Sequence, residues 1–184
     1  MLLLAACATL TNSLAPSDVP KLKLTSVRVT YTPDAIIQWE EGLRGYAAVN
    51  AVTDDQIAMA SNDPKAKEFV RSKLATRVRE TLERNLRPHL AGSRPVRLDV
   101  VVQNFVISPA VQRIVIGGSH FMIADANLVD AATGATIVAY PKLGGAAMAG
   151  QGWAGAAVEA AIGADQTDRV LVAYSEAYRA WLFK

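Results

Sequence analysis

Val27-Arg-Val-Thr-Tyr31 alternates apolar and polar residues, which predicts a β-strand with one buried face. Its β-branched residues suit such a half-buried pleat. Thr32-Pro33-Asp34 carries turn chemistry and is expected to end the strand. Ile36, Ile37 and Trp39 then form a short apolar patch, expected to pack on the domain, before Glu40-Glu41-Gly42 breaks it. From Gly42 to Ser61 the pattern is weak and reads as loop with room for one short strand.

Asn62-Asp63-Pro64 is a helix start, a capping side chain followed by proline in the first turn. Val70, Leu74, Val78, Leu82 and Leu86 recur every fourth residue, so the helix is expected from about Pro64 to Leu86. Glu80 with Arg84 and Glu83 with Arg87 stand in the favourable i,i+4 order. Arg87-Pro88 ends the helix. Its first half is basic, with Lys65, Lys67, Arg71, Lys73, Arg77 and Arg79, as the solvated face of an amphipathic helix usually is.

Val96 to Phe105 alternates and then turns continuously apolar, the mark of a central strand, and Ser108-Pro109 breaks it. Arg113 to Ile116 resumes an extended pattern, and Gly117-Gly118 kinks it. Ser119 to Asp130 predicts a long strand with Met122, Ala124, Ala126 and Leu128 on one face and a mixed set on the other. Asp130 to Gly134 reads as a hairpin turn, with Gly134 free to take positive φ. The return strand is expected from Ala135 to Tyr140, closed by Pro141. From Asp165 onward Leu171, Tyr174, Tyr178, Trp181 and Leu182 line one stripe of a final helix that should pack across the sheet. The fold class implied is α+β: an antiparallel sheet of about four strands, with the long central-chain helix and the C-terminal helix on one face.

Composition narrows the function classes. A chain of 184 residues fits one domain, and 51% hydrophobic with 20% charged residues is globular rather than disordered. A net charge of +2 is too small to imply a nucleic-acid partner. One cysteine allows neither an internal disulfide nor a cysteine zinc site, and His89 and His120 stand in no ligand spacing, so no metal or cofactor is expected.

That cysteine stands in Leu4-Ala5-Ala6-Cys7, the form of a bacterial lipobox. Small side chains let a peptidase reach the backbone, and the thiol is the nucleophile that takes the diacylglyceryl group. Ala8 to Pro20 is polar and aperiodic, as a tether needs. The charged n-region and full apolar run of a secretory signal are missing before it. The expected organisation is therefore a signal-peptide stub over 1–6, a tether over 7–21 after a lipidated Cys7, and one α+β domain over 22–184.

The motifs that suggest catalysis are weak. Gly150-Gln-Gly152-Trp-Ala-Gly155 spells G-x-G-x-x-G, but the preceding strand ends ten residues earlier and no third strand follows. Ser119 and His120 are adjacent on a strand and point to opposite faces, so they form no nucleophile–base pair with each other; His120 is expected hydrogen-bonded at the surface or a sheet edge. Asp125 and Asp130, five apart on one strand, likewise face opposite sides. No catalytic constellation is expected. Gly144 to Val158 is uncharged and mostly Gly and Ala, with Met148 and Trp153. Such small residues more often mark close packing against a sheet, but exposed they make a partner or ligand surface, for which Trp153, Met148 and His120 are the candidates.

The lipobox, Tyr31 to Trp39 (YTPDAIIQW), Arg94 to Phe105 (RPVRLDVVVQNF), Ile116 to His120 (IGGSH) and Asp130 to Ala139 (DAATGATIVA) together resemble a family of alphaproteobacterial lipoproteins built on a domain of unknown function. More distantly, the strand–helix–meander with an Asp-x-x-Thr-Gly hairpin is similar to envelope lipoproteins that help build export or secretion machinery. The resemblance implies a periplasmic or outer-membrane address, a membrane anchor through Cys7 and an envelope protein as partner. It implies no activity. The expectation is a lipid-anchored envelope protein that acts by binding, as an accessory of a transport or assembly complex. Two alternatives stay open at this point: a periplasmic small-ligand-binding module, and a hydrolase using Ser119 or His120.

Overall fold

The computed structural model describes residues 12–108, 119–148 and 165–184. Cys7, the Arg113 to Ile116 stretch, the Gly117-Gly118 pair, the Gly150–Gly155 motif and Trp153 lie outside the described residues. Strand β1 (Leu22–Gln38) is followed by helices α1 (Glu40–Asn50), the one-turn α2 (Ile57–Ala60) and α3 (Pro64–Leu86). Strands β2 (Arg94–Val106), β3 (Ser119–Asp130) and β4 (Thr136–Met148) then precede helix α4 (Gln166–Leu182).

The four strands form one sheet in the order β1-β2-β3-β4. The α+β class and four-stranded sheet are as the sequence pattern predicts. So is the packing of both long helices on the sheet, α3 against β1 and α4 against β4 and β3; α3 also packs against α4. One pairing differs. β1 runs parallel to β2, while β2–β3 and β3–β4 are antiparallel. The helical connection carries the chain back to the end of the sheet where β1 began, so the next strand must run the same way.

The core follows the periodicities. Val96, Leu98, Val100, Val102 and Phe105 of β2 face the helices with Met122, Ala124, Ala126 and Leu128 of β3, all with 0% exposure. Val70, Leu74, Val78, Leu82 and Leu86 of α3 and Leu171, Tyr174 and Tyr178 of α4 close over them. Each long helix starts on an aspartate: the Asp63 side chain accepts from the Lys65 N–H and Asp165 from the Thr167 N–H.

Two proline breaks are not breaks. β1 runs through Thr32-Pro33-Asp34 to Gln38, its register jumping between the Tyr31–Val102 and Ile36–Asn104 pairs. β4 runs through Pro141 to Met148, with Lys142 at φ 54° and its N–H given to Asp125 Oδ1 at 2.8 Å. Both are edge strands, where a missing N–H removes no ladder bond if it points outward. Gly134 takes φ 73° in the β3–β4 hairpin, as its position predicts. The start of the β1 edge is covered: Leu24 N–H donates to the Leu90 carbonyl (2.9 Å), Gly92 N–H to the Leu22 carbonyl (2.8 Å) and Val27 N–H to Glu83 Oε1 (3.1 Å). Such cover prevents edge-to-edge association.

Candidate functional site

Trp39, at the end of β1, organises one end of the molecule. Its ring meets Phe105 edge-on at 6.2 Å, and its indole N–H is shared between Thr167 Oγ1 (3.0 Å) and Glu41 Oε2 (3.3 Å). Residues expected to be loop form α1 directly after it. Glu40 and Glu41 favour a helix N-terminus, and Arg44 returns an i,i+4 bond to Glu40 at 2.7 Å. Gly42 is required by contact rather than by φ, because a Cβ there would stand 2.4 Å from the Trp39 ring. Tyr46 then packs on Phe69 of α3 at 5.7 Å and donates its hydroxyl to Asp63 Oδ2 at 3.0 Å. These contacts fix α1 to α3 and leave a depression between them and the end of β1.

That depression has two lobes sharing Ile37, Trp39, Leu43 and Ser61. The larger, of about 700 Å³, adds Arg44, Ile57, Ala58 and Ile107 to its walls. The smaller, of about 210 Å³, reaches Ala35, Val70, Lys67 and Arg71. The size is that of a small-ligand site, with an apolar floor and a few polar groups at the rim. Among the described residues Glu40 is the only acid on either wall, and Arg44 holds it. Lys67 and Arg71 pair with no carboxylate among the described residues; the Arg71 guanidinium lies 5.5 Å over the Tyr31 ring. Tyr31 donates its hydroxyl to the Arg71 carbonyl at 2.6 Å, and burial pushes its phenol well above the ordinary value, so it remains a neutral donor. Ile36 (53% exposed) and Met59 (70%), two of the four large hydrophobics most exposed among the described residues, sit on the strand and helix that wall the groove.

Beside the groove Arg77 of α3 ties three elements together, bonding Glu41 at 2.9 Å, Asp168 at 3.1 Å and Asp165. Three carboxylates on one guanidinium fix the start of α4 against α1. This is scaffolding for the groove wall.

The sequence-derived candidates fall elsewhere. His120 is fully buried on β3, an interior strand, and its Nδ1 accepts the Ser108 N–H at 3.1 Å. The structure thus places it inside, not at the surface or sheet edge expected beside the Gly117-Gly118 pair, because it follows the same alternation that sets Met122 and Ala124 on the helix-facing side. Ser119 begins β3 and Met148 ends β4, paired with one another. Asp125 accepts from Gln103 Nε2 and Lys142 N–H, and Asp130 caps the hairpin by accepting from Ala132 and Thr133 N–H. Those bonds and Arg94 hold the Asp130 carboxyl below the ordinary aspartate value. Neither acid faces the other.

Sequence reading missed the groove because its walls lie in the weakly patterned Gly42–Ser61 stretch. The available signal was Leu43, Tyr46 and Ala47 at helical spacing behind two acids. Among the described residues no helix is long and apolar enough to cross a membrane.

Fold and site together define a small α+β domain with one single-layer sheet, two helices on one face and an apolar groove at one end. The chain belongs to a family of unknown function (DUF6778), which matches residues 71–184. That match spans most of α3, strands β2 to β4 and α4, whereas most of the groove walls precede it. No curated protein matches the chain. A solved structure described as a putative lipoprotein from Caulobacter crescentus CB15 is similar at 22% identity, over 59% of this chain and 80% of that one, with a TM-score of 0.36.

Proposed function

We propose that the protein is a lipid-anchored component of a bacterial cell envelope, held by Cys7, and that it acts by binding through the groove at the β1–α1–α3 end. The observation that carries this reading is that Asn12 and the groove lie at opposite ends of α4. Asn12, the first described residue, donates its side-chain amide to the Leu182 carbonyl at 2.8 Å, at the C-terminal end of α4. The groove lies at the other end of the same helix, where Thr167 accepts the Trp39 indole N–H. Fifteen helical residues separate the two ends, roughly 22 Å at 1.5 Å per residue. Because Asn12 is held beside Leu182, lipid on Cys7, five residues upstream, would bring that end of α4 nearer the membrane than the groove. The lipobox form of Leu4 to Cys7 supports the anchor. The acyl chains of a bacterial lipoprotein hold far more firmly than a single lipid would.

The groove is tested by a photo-crosslinking residue at Ala58, on its wall, with a second at Lys184, beyond the end of α4. In native membranes the expected result is one discrete adduct from Ala58 that Lys184 does not give. The reading fails if Ala58 yields no adduct, or only the set that Lys184 yields.

A further inference from the structure

Building on that groove as the binding face, we infer that its occupant is a single-chain acyl carboxylate, with the chain along the apolar floor and the anionic head at Lys67 and Arg71. Three features of the site lead there. The floor of Ile37, Trp39, Leu43 and Val70 offers no charged group. The smaller lobe is lined by two cations, Lys67 and Arg71, with no carboxylate paired to either among the described residues. It shares Ile37, Trp39 and Leu43 with the larger lobe of about 700 Å³, which adds Ile57 and Ile107. An apolar site with unpaired positive charge in one lobe complements an amphiphile with one negative head.

The charge pattern places the head. Lys67 and Arg71 line only the smaller lobe, whereas Glu40, bonded to Arg44, lines only the larger, so an anionic head belongs in the smaller lobe and away from Glu40. Arg71 is held for the task by the Tyr31 ring beneath its guanidinium and the Tyr31 hydroxyl on its carbonyl. Ser61 gives its hydroxyl hydrogen to the Ala58 carbonyl at 2.7 Å, which leaves its oxygen as an acceptor and the two cations as donors to the carboxylate.

The test is quenching of tryptophan fluorescence by 9,10-dibromostearate in the full chain, below the concentration at which the soap forms micelles. Bromine on a chain lying over Trp39 should quench saturably, and Trp39→Phe should remove that response. Lys67→Gln, an exposed change that leaves the melting temperature in place, should weaken binding about tenfold, as loss of a charge-assisted hydrogen bond does. The brominated alcohol of the same length should also bind at least about tenfold more weakly. Shortening the chain should cost up to about fourfold per methylene removed. Equal binding of acid and alcohol, or indifference to Lys67→Gln and to Arg71→Gln alike, overturns the assignment. The crosslinker at Ala58 separates this failure from failure of the groove itself. A protein adduct there without quenching by the bromo-acid makes the groove a protein-docking site and ends the acyl assignment alone. Silence in both assays ends both readings.

Discussion

Gly144 and Gly145 are neighbours on β4 with opposite constraints. A Cβ on Gly145 would lie 2.5 Å from the N, Cα and Cβ of Tyr174, so β4 and α4 touch there backbone to backbone. A Cβ on Gly144, on the other face of the sheet, would meet nothing within 4 Å. Carbon atoms in contact prefer about 3.5–4.0 Å, so Gly145→Ala must open the helix–sheet contact by about 1 Å. Overpacking of a close-packed core costs about 1–3 kcal/mol. The upper part of that range applies, because backbone cannot rotate out of the way as a side chain can. The entropy that alanine removes from the unfolded chain returns about 0.4–1 kcal/mol. The net expectation is a loss of about 1–2.5 kcal/mol for Gly145→Ala, a fall in melting temperature of about 2–10 °C at 2–4 °C per kcal/mol for a chain of this size. Gly144→Ala keeps the entropy term and meets no clash, so it should match or slightly exceed the parent. Thermal melts followed by circular dichroism, with urea midpoints at unchanged slope, read both. If Gly145→Ala melts together with Gly144→Ala, α4 does not lie against β4 as described.

Three further outcomes follow from buried and paired groups. Tyr174 donates to the Ala124 carbonyl at 3.2 Å, whereas the buried Tyr178 hydroxyl has no partner among the described residues. Tyr174→Phe should therefore cost about 0.5–1.5 kcal/mol in urea unfolding, and Tyr178→Phe should be neutral or stabilising. Removing Arg77 with Arg77→Met leaves Glu41, Asp165 and Asp168 facing one another; about 1–3 kcal/mol should be lost at low salt and part regained in 0.5 M salt, about where screening shortens to a few ångströms. Asp130 is depressed from its ordinary value of 3.8 by the Thr133 N–H, the Arg94 guanidinium and the Ala132 N–H. A depressed carboxylate binds fewer protons folded than unfolded, so its contribution is full above about pH 4 and disappears as pH falls through the folded value. Melts of the parent and Asp130→Asn should differ at pH 6 and converge as pH falls through the depressed folded value; a gap unchanged at low pH refutes the assignment.

Much of the fold is legible in the sequence where one physical signal dominates. The fourfold spacing from Val70 to Leu86 behind Asp63-Pro64 defines α3 to the residue, and the alternation from Ser119 to Asp130 defines β3 and its buried face. The small residues at the start of the Gly144–Val158 stretch mark close packing, as Gly145 against Tyr174 shows. What is not legible depends on neighbours far along the chain. Alternation tells which face of Val27 to Tyr31 is buried but not which way the paired strand runs, so the parallel β1–β2 pair is hidden. Pro33 and Pro141 read as stops because edge position, which makes them tolerable, is a property of the sheet. Helix α1 is masked by Gly42, whose helix-weakening backbone is offset by contact with the Trp39 ring. The groove is hidden with it, since its walls come from that helix and from the part of β1 beyond Pro33.

Energy transfer tests in one preparation whether the domain is anchored with its groove facing away from the membrane. Protein extracted from native membranes with its lipids is reconstituted in vesicles carrying acceptor dye on the headgroups, with a donor on Ala58→Cys or on Lys184→Cys. Cys7 is the only cysteine, so a lipidated parent chain takes up no thiol dye. The parent should remain unlabelled, and position 184 should give strong transfer. Transfer from position 58 should be markedly weaker, set back by roughly the 22 Å length of α4. A parent that labels at Cys7, or a donor at 58 as close to the headgroups as the donor at 184, contradicts that arrangement.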